Sequence, residues 1–314
     1  MPTADATALS EHFAFGANWR RFLERVDERR VGAAVASLRG LLSLPHAQQP
    51  LEGQTFLDVG CGSGLVSLAA HRLGARVVSF DFDPQSVACT RELQRRFAAA
   101  EAWPVGEGSA LDRDFLAALV ADHGRFDIVY SWGVLHHTGD LWAAVEAVAD
   151  CVRESGTLAI ALYNDQGRTT DRWIGIKRAY QHLPGWLRTP YVATVGFGYF
   201  GGRAAGKLAA AIASPLEGRR LPPSRDAHAS ADRTLAAALT ASDPRGMSRW
   251  YDLVDWVGGW PLEVATPGEV VAKLGHLGFT LARLNTVGGN HGCNEFVFLR
   301  DPESPSPQTS PNAP

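Results

Sequence analysis

The residues best able to do chemistry come early in the chain. Asp58-Val59-Gly60-Cys61-Gly62-Ser63-Gly64 stands where a short apolar run, TFLDV, turns into the helical run LVSLAAHRL. Glycine at such a turn lets the backbone bend sharply and approach a ligand without a Cβ in the way. A second acid, Asp81, follows about twenty residues on at the end of the next apolar run, where a carboxylate can take a ribose diol. Two adjacent histidines, His136 and His137, follow the apolar run FDIVYSW, and a third, His291, lies in the turn GGNHG. Imidazole exchanges a proton near neutral pH, so His136 is the first candidate for a general base. His137 is a second candidate, set against the more usual reading of a helix-start or packing histidine. Tyr163-Asn164 closes a further strand, and strand ends in open α/β sheets point into the ligand crevice.

These residues need a scaffold, and the patterning supplies one. From Thr55 to Tyr163 short apolar runs alternate with helical stretches: ARVVSFDFD then PQSVACTRELQRRF, FDIVYSW then LWAAVEAVADCVR, and finally TLAIALY. Strands joined by helices of this length require crossovers, which makes the sheet mostly parallel with helices on both faces. Residues 51–164 and 266–300 therefore read as one core. Thr266-Pro267-Gly268-Glu269 fits a capping box opening the last helix. TLARLNTV and CNEFVFLR then read as an antiparallel edge hairpin. Residues 1–50 read as an N-terminal helical segment, with one or two amphipathic helices over 18–42 that pack on the core and secondarily suit a lid. Residues 165–265 break the alternation and read as an inserted cap of short helices. The proline-rich tail, 301–314, is expected to be disordered.

Two cofactor classes compete for the glycine turn. Dinucleotides favour G-x-G-x-x-G, which brings a pyrophosphate to a helix N-terminus. Here the spacing is G-x-G-x-G behind Asp58, whose charge would repel a pyrophosphate and suits the sulfonium and ammonium of S-adenosylmethionine. The segment resembles the class I S-adenosylmethionine-dependent methyltransferases, whose first motif is an acid followed by G-x-G-x-G. SFDFDPQSV resembles their second motif, which implies Asp81 on the ribose and Phe82 beside the adenine. GSALD occupies the third, where Ser109 stands in the usual place of an acid, with Ala110 next to it and Asp112 as a substitute. FDIVYSWGVLHH matches the fourth, implying Ser131 and Trp132 on the methionine side. The resemblance implies a Rossmann-like seven-stranded sheet with the helical cap inserted after the fifth strand. It also implies S-adenosylmethionine held by Asp58, Gly60, Cys61, Gly62, Gly64 and the residues just named.

Composition narrows the acceptor. The 314 residues carry 30 basic and 33 acidic side chains, net -3, with no basic excess of the kind nucleic-acid binders show. No apolar run reaches the roughly 20 residues of a membrane span, and the N-terminus lacks a secretory signal. Four cysteines without a Cys-x-x-Cys pair suggest reduced thiols in the cytoplasm, and no ligand cluster suggests a metal. Five of the nine tryptophans fall in the insert, and 245–265 adds Arg249, Asp252 and Asp255 to its aromatics. Arg249, Trp250, Tyr251 and His291 are the substrate candidates, beside Trp256 and Trp260. Against this, buried aromatics mostly pack, so they read first as the cap's own core, and the three charged residues as a solvated or paired face. The expectation is methyl transfer to a small-molecule oxygen by in-line displacement. Alternatives are use of the aminocarboxypropyl arm of the cofactor, RNA or protein methylation, and non-catalytic cofactor binding. Oligomeric state is not legible.

Overall fold

The computed structural model describes residue 13 and residues 15–98, 102–213, 245–247, 249–288 and 292–302, with backbone only at 200–213 and 249. Its strands are β1 (Thr55–Val59), β2 (Arg76–Asp81), β3 (Val105–Glu107), β4 (Phe126–Trp132), β5 (Val152–Tyr163), β6 (Phe279–Asn285) and β7 (Cys293–Arg300). They form one sheet in the order β3-β2-β1-β4-β5-β7-β6. β1 to β5 pair in parallel, and β7 runs antiparallel between β5 and β6. The mostly parallel sheet and its edge hairpin are as expected. β3, three residues long, carries too short a period to be read from sequence.

Alternation along the strands sends side chains to two cores. Leu57, Val59 and Val129 enter one cluster, while Phe56, Ile128 and Tyr130 enter the other. Phe56 and Leu57 are fully buried, each worth ~1.5–3 kcal/mol relative to exposure.

The helices start where the sequence offers caps. They are α1 (Phe15–Leu23), α2 (Glu28–Leu41), α3 (Leu65–Arg72), α4 (Pro84–Phe97), α5 (Arg113–His123), α6 (Leu141–Ala149), α7 (Arg168–His182), α8 (Gly185–Ala213), α9 (Arg249–Gly258) and α10 (Pro267–His276). Asp27, Asp83, Asp112 and Asp140 cap α2, α4, α5 and α6 through their carboxylates. The Thr266–Glu269 capping box of α10 is present. The amphipathic stretch 18–42 divides into α1 and α2 at the Asp27 cap.

The segment between β5 and α10 leaves and returns at one point. Asn164 bridges Ala265 in parallel, and the Ala265 N–H donates to the Tyr163 carbonyl at 3.0 Å. Within it, α7, α8 and α9 bury Trp173, Tyr180, Val192, Leu253 and Val257 as a third apolar cluster. α8 spans 29 residues, far longer than the short helices expected there. Among the described residues no helix is long and apolar enough to cross a membrane. The tail beyond residue 302 lies outside the described residues.

Candidate active site

The C-terminal ends of β1, β2, β4 and β5 open on a cavity of about 650 Å³. In the loop after β1, Gly60 has φ +73° and a Cβ there would meet Val134 at 2.5 Å, so glycine alone lets the loop pass under the turn after β4. Gly60, Cys61 and Gly62 line the cavity. Gly64 lies behind them as the left-handed N-cap of α3.

Two carboxyls govern this half of the site. Asp81 Oδ2 accepts from the Gly62 N–H at 2.8 Å and Oδ1 from the Asp83 N–H at 2.9 Å, tying the glycine loop to the end of β2. Burial pushes its carboxyl up to about 6. Asp58 accepts from Ser67 Oγ at 2.5 Å, and burial, reinforced by the charge of Asp81, pushes it up to about 7. Carboxylates so disfavoured are relieved by a cationic ligand, which is the charge that a sulfonium cofactor brings. At the rim Phe82 and Leu111 leave 39% and 38% of their surface exposed, two apolar faces of the kind a flat purine covers.

Ser109 and Ala110 line the same rim, with Ser109 Oγ accepting from the Leu111 N–H at 3.1 Å. Asp112 is not in the lining. Its carboxylate caps α5, accepting from the Phe115 N–H at 2.9 Å, so the substitute adenine contact expected of it is not what the geometry provides. Ser131 is also withdrawn: fully buried, its hydroxyl donates to the Val59 carbonyl and ties β4 to β1. Trp132 does face the cavity, its indole N–H donating to Glu295 at 2.9 Å.

On the opposite side His136, His137 and Tyr163 line the wall, with the His136 and Tyr163 rings 4.2 Å apart. His136 Nδ1 accepts from the Tyr163 backbone N–H at 3.3 Å, which uses its basic lone pair and leaves the proton on Nε2. His137 Nδ1 lies 2.6 Å from the Pro261 carbonyl, which only accepts, so Nδ1 carries the proton there. A Cβ on Gly259 would meet His137 Nε2 at 3.1 Å, so its other edge abuts the Gly259 backbone. The imidazole expected as base thus has its lone pair engaged by the main chain.

Asn164 stands outside the cavity. Its amide donates to the Gly288 carbonyl and accepts from Asn294, stapling the end of β5 to the hairpin. Tyr251 is core, edge-on to Phe22 at 6.0 Å, and Trp250 packs between two apolar clusters. Neither lines the cavity. The Arg249 side chain and His291 lie outside the described residues.

The residues that complete the wall come partly from the aromatic stretch 245–265 singled out in the sequence and partly from segments that carried no chemical signal of their own. Arg245 stacks 3.9 Å over the Trp132 ring and pairs with Asp252 at 3.2 Å. Met247, Asp252, Asp255 and Trp256 come from the insert, Phe13, Phe15 and Trp19 from the N-terminal segment, and Cys293 and Glu295 from β7. Asp252 and Asp255, three apart among aromatics, line the site: of the solvated or paired face expected, Asp252 shows the pairing, to Arg245, and neither is simply a solvated surface charge.

A strand order of this kind around an acid-flanked glycine turn defines a class of protein, and residues 57–160 match the family model described as a methyltransferase domain. Over residues 57–160 the chain carries a methyltransferase domain, for which S-adenosylmethionine is the cofactor. The ubiquinone biosynthesis O-methyltransferase of Methylobacterium sp. (strain 4-46) is 28% identical over 193 residues, covering 59% of this chain and 73% of that protein. The protein of that name from Methylocella silvestris is 35% identical over 144 residues, covering 41% and 52%, and that from Brucella ovis is 34% identical over 124, covering 38% and 45%. The chain thus spans about half the length of the latter two. The crystal structure of magnesium protoporphyrin IX methyltransferase from Synechocystis PCC 6803 with bound SAH shares the fold, with TM-score 0.51 at 16% identity over 95% of this chain and 100% of that one.

Proposed function

We propose that the protein moves the methyl group of S-adenosylmethionine to a hydroxyl oxygen of a small-molecule acceptor. The observation that carries this is one cavity with two chemically distinct halves. Asp58, Asp81 and Phe82 form one, and an aromatic, polar wall from 245–256 together with Tyr163 forms the other. The O-methyltransferase names of the relatives support oxygen over nitrogen or carbon.

Asp81 would hold the ribose, Phe82 and Ala110 the adenine, and Asp58 and Trp132 the charged end. The cofactor supplies a methyl group made electrophilic by its sulfonium. The chain's own work is to align an acceptor oxygen with that methyl and to exclude water. Residues 165–265, with 13 basic and 9 acidic side chains, are the proposed substrate-selecting region, and the mix of Arg245, Asp252, Asp255, Met247 and Trp256 that it sets along the cavity suits a polar small molecule. The proposed setting is the cytoplasm, in keeping with four free cysteines.

Incubation with methyl-labelled cofactor and a panel of hydroxylated small molecules tests the proposal. Labelled ether in equal amount to S-adenosylhomocysteine is the expected result. Methylthioadenosine as the product would overturn it in favour of the aminocarboxypropyl arm, and label in RNA or protein would move the acceptor to another class.

A further inference from the structure

Methylation of a hydroxyl releases a proton that needs an acceptor, and the lone pair of His136, the imidazole expected to take it, is engaged by the Tyr163 N–H. α9 offers one. Asp255 lines the cavity and keeps accessible surface there, and its Oδ1 accepts from Asn18 Nδ2 at 2.8 Å. Behind it, Lys177 on α7 is fully buried. Its Nζ reaches the Asp255 carbonyl at 3.5 Å and stands 5.4 Å from the centre of the Tyr163 ring. Neither contact is an ion pair, and a buried ammonium held this loosely costs stability. Tyr163 in turn lies against His136 and His137, 4.2 and 5.7 Å between ring centres, so Asp255 and Lys177 border the wall assigned to the acceptor.

We propose that Asp255 receives the proton of the acceptor hydroxyl and that Lys177 is a positioning residue that holds a compensating positive charge behind it. In the step the acceptor O–H bond breaks and its proton passes to the Asp255 carboxylate. The oxygen's electron pair forms the bond to the methyl carbon, and the methyl–sulfur bond breaks with its pair leaving on sulfur as a neutral thioether. The assignment rests on the methyl-transfer proposal above.

Other groups facing the pair set its charge. They are Asp252 on α9, Tyr163 on β5, Cys293 on β7 and Arg245. Burial first, then Asp252, holds the Asp255 carboxyl well above the ordinary carboxylate range, and burial pushes Lys177 down to about 7. A carboxylate raised in this way is a stronger base than an ordinary one once ionised, which suits proton abstraction.

The test compares wild type, Asp255→Asn, Lys177→Met and His137→Gln on two phenols, one un-ionised at the assay pH and one nitrophenol already ionised. Asp255→Asn should lose ~100-fold or more in kcat on the un-ionised phenol but ~10-fold or less on the ionised one, which has no proton to give. Lys177→Met should move the acidic limb of the kcat profile to higher pH, because the carboxylate loses a neighbouring positive charge. His137→Gln should lower both rates by the same factor. Equal loss of Asp255→Asn on both phenols, with calorimetric cofactor binding intact, overturns the assignment while leaving the methyl-transfer proposal standing. A His137→Gln variant that shows the acceptor dependence overturns it as well. A wild type that yields only nitrogen- or carbon-methylated product overturns both.

Discussion

Trp19 holds its indole against Gly62: a Cβ built on Gly62, whose φ is +55°, would lie 3.0 Å from the indole Nε1. α1 is fixed there from both sides. The Gly16 N–H donates to Asp83 Oδ2 at 2.8 Å, and Asn18 Nδ2 donates to the Tyr251 carbonyl and to Asp255. The N-terminal segment therefore joins the cofactor loop to the insert along the cavity wall.

Gly62→Ala strains a left-handed backbone and pushes Trp19 off the loop. A loss of about tenfold or more in cofactor affinity is expected, since such backbone strain costs ~1–3 kcal/mol. Calorimetric titration checks this, with Trp19→Ala expected to weaken binding without the strain.

Asn18→Ala removes two hydrogen bonds from a residue that is 5% exposed. Stability should fall by ~1–3 kcal/mol, because the Tyr251 carbonyl and the Asp255 carboxyl each lose a donor. Denaturant unfolding measures the loss, and hydrogen exchange across 15–23 should rise more than in β1.

Asp58 and Asp81, held up at about 7 and about 6, make cofactor binding pH-dependent. For acids raised in the fold, the stability of the cofactor-free protein is highest at low pH and declines as pH rises from the ordinary carboxylate range through these values. A cationic ligand favours the ionised forms, so affinity should strengthen as pH rises through 6 and 7 and binding should release protons. Titrations in buffers of different ionisation enthalpy count those protons. Binding that is flat across this range would count against Asp58 meeting the cofactor's charge and Asp81 its ribose.

Lys177→Met should stabilise the fold even as it impairs turnover, by ~1–2 kcal/mol, since a buried charge without a close ion pair is replaced by an apolar side chain of similar length. Burial lowers this lysine from 10.5 to about 7, so its cost is full below about 7 and fades as pH rises toward 10.5. Thermal unfolding at two pH values should show the variant's advantage shrinking at the higher one.

The cofactor half of the site was legible because its signals are local. Asp58 to Gly64 is a single strand-to-helix turn, and Asp81 ends the neighbouring strand, paired in register with β1. Glycine spacing, apolar alternation and capping acids act over a few residues, so a linear pattern contains them. Asp112 misled for the same local reason: one carboxylate suits both a purine contact and a helix cap, and the cap is nearer in the chain.

The other half came only with the packed chain. Asn18 and Asp255 are 237 residues apart, Arg245 finds Trp132 across the insert, and Lys177 reaches the back of Asp255 from another helix. Nothing in a residue's neighbours states which side chain 200 positions away will cover it. That is settled by which apolar faces of α1, α7 and α9 bury one another, a global competition among contacts whose outcome no short-range pattern encodes. The sequence was therefore sufficient for the cofactor and the sheet that presents it, while the opposite wall of the cavity, with Asp255 on it and the buried Lys177 behind it, exists only as a consequence of the fold.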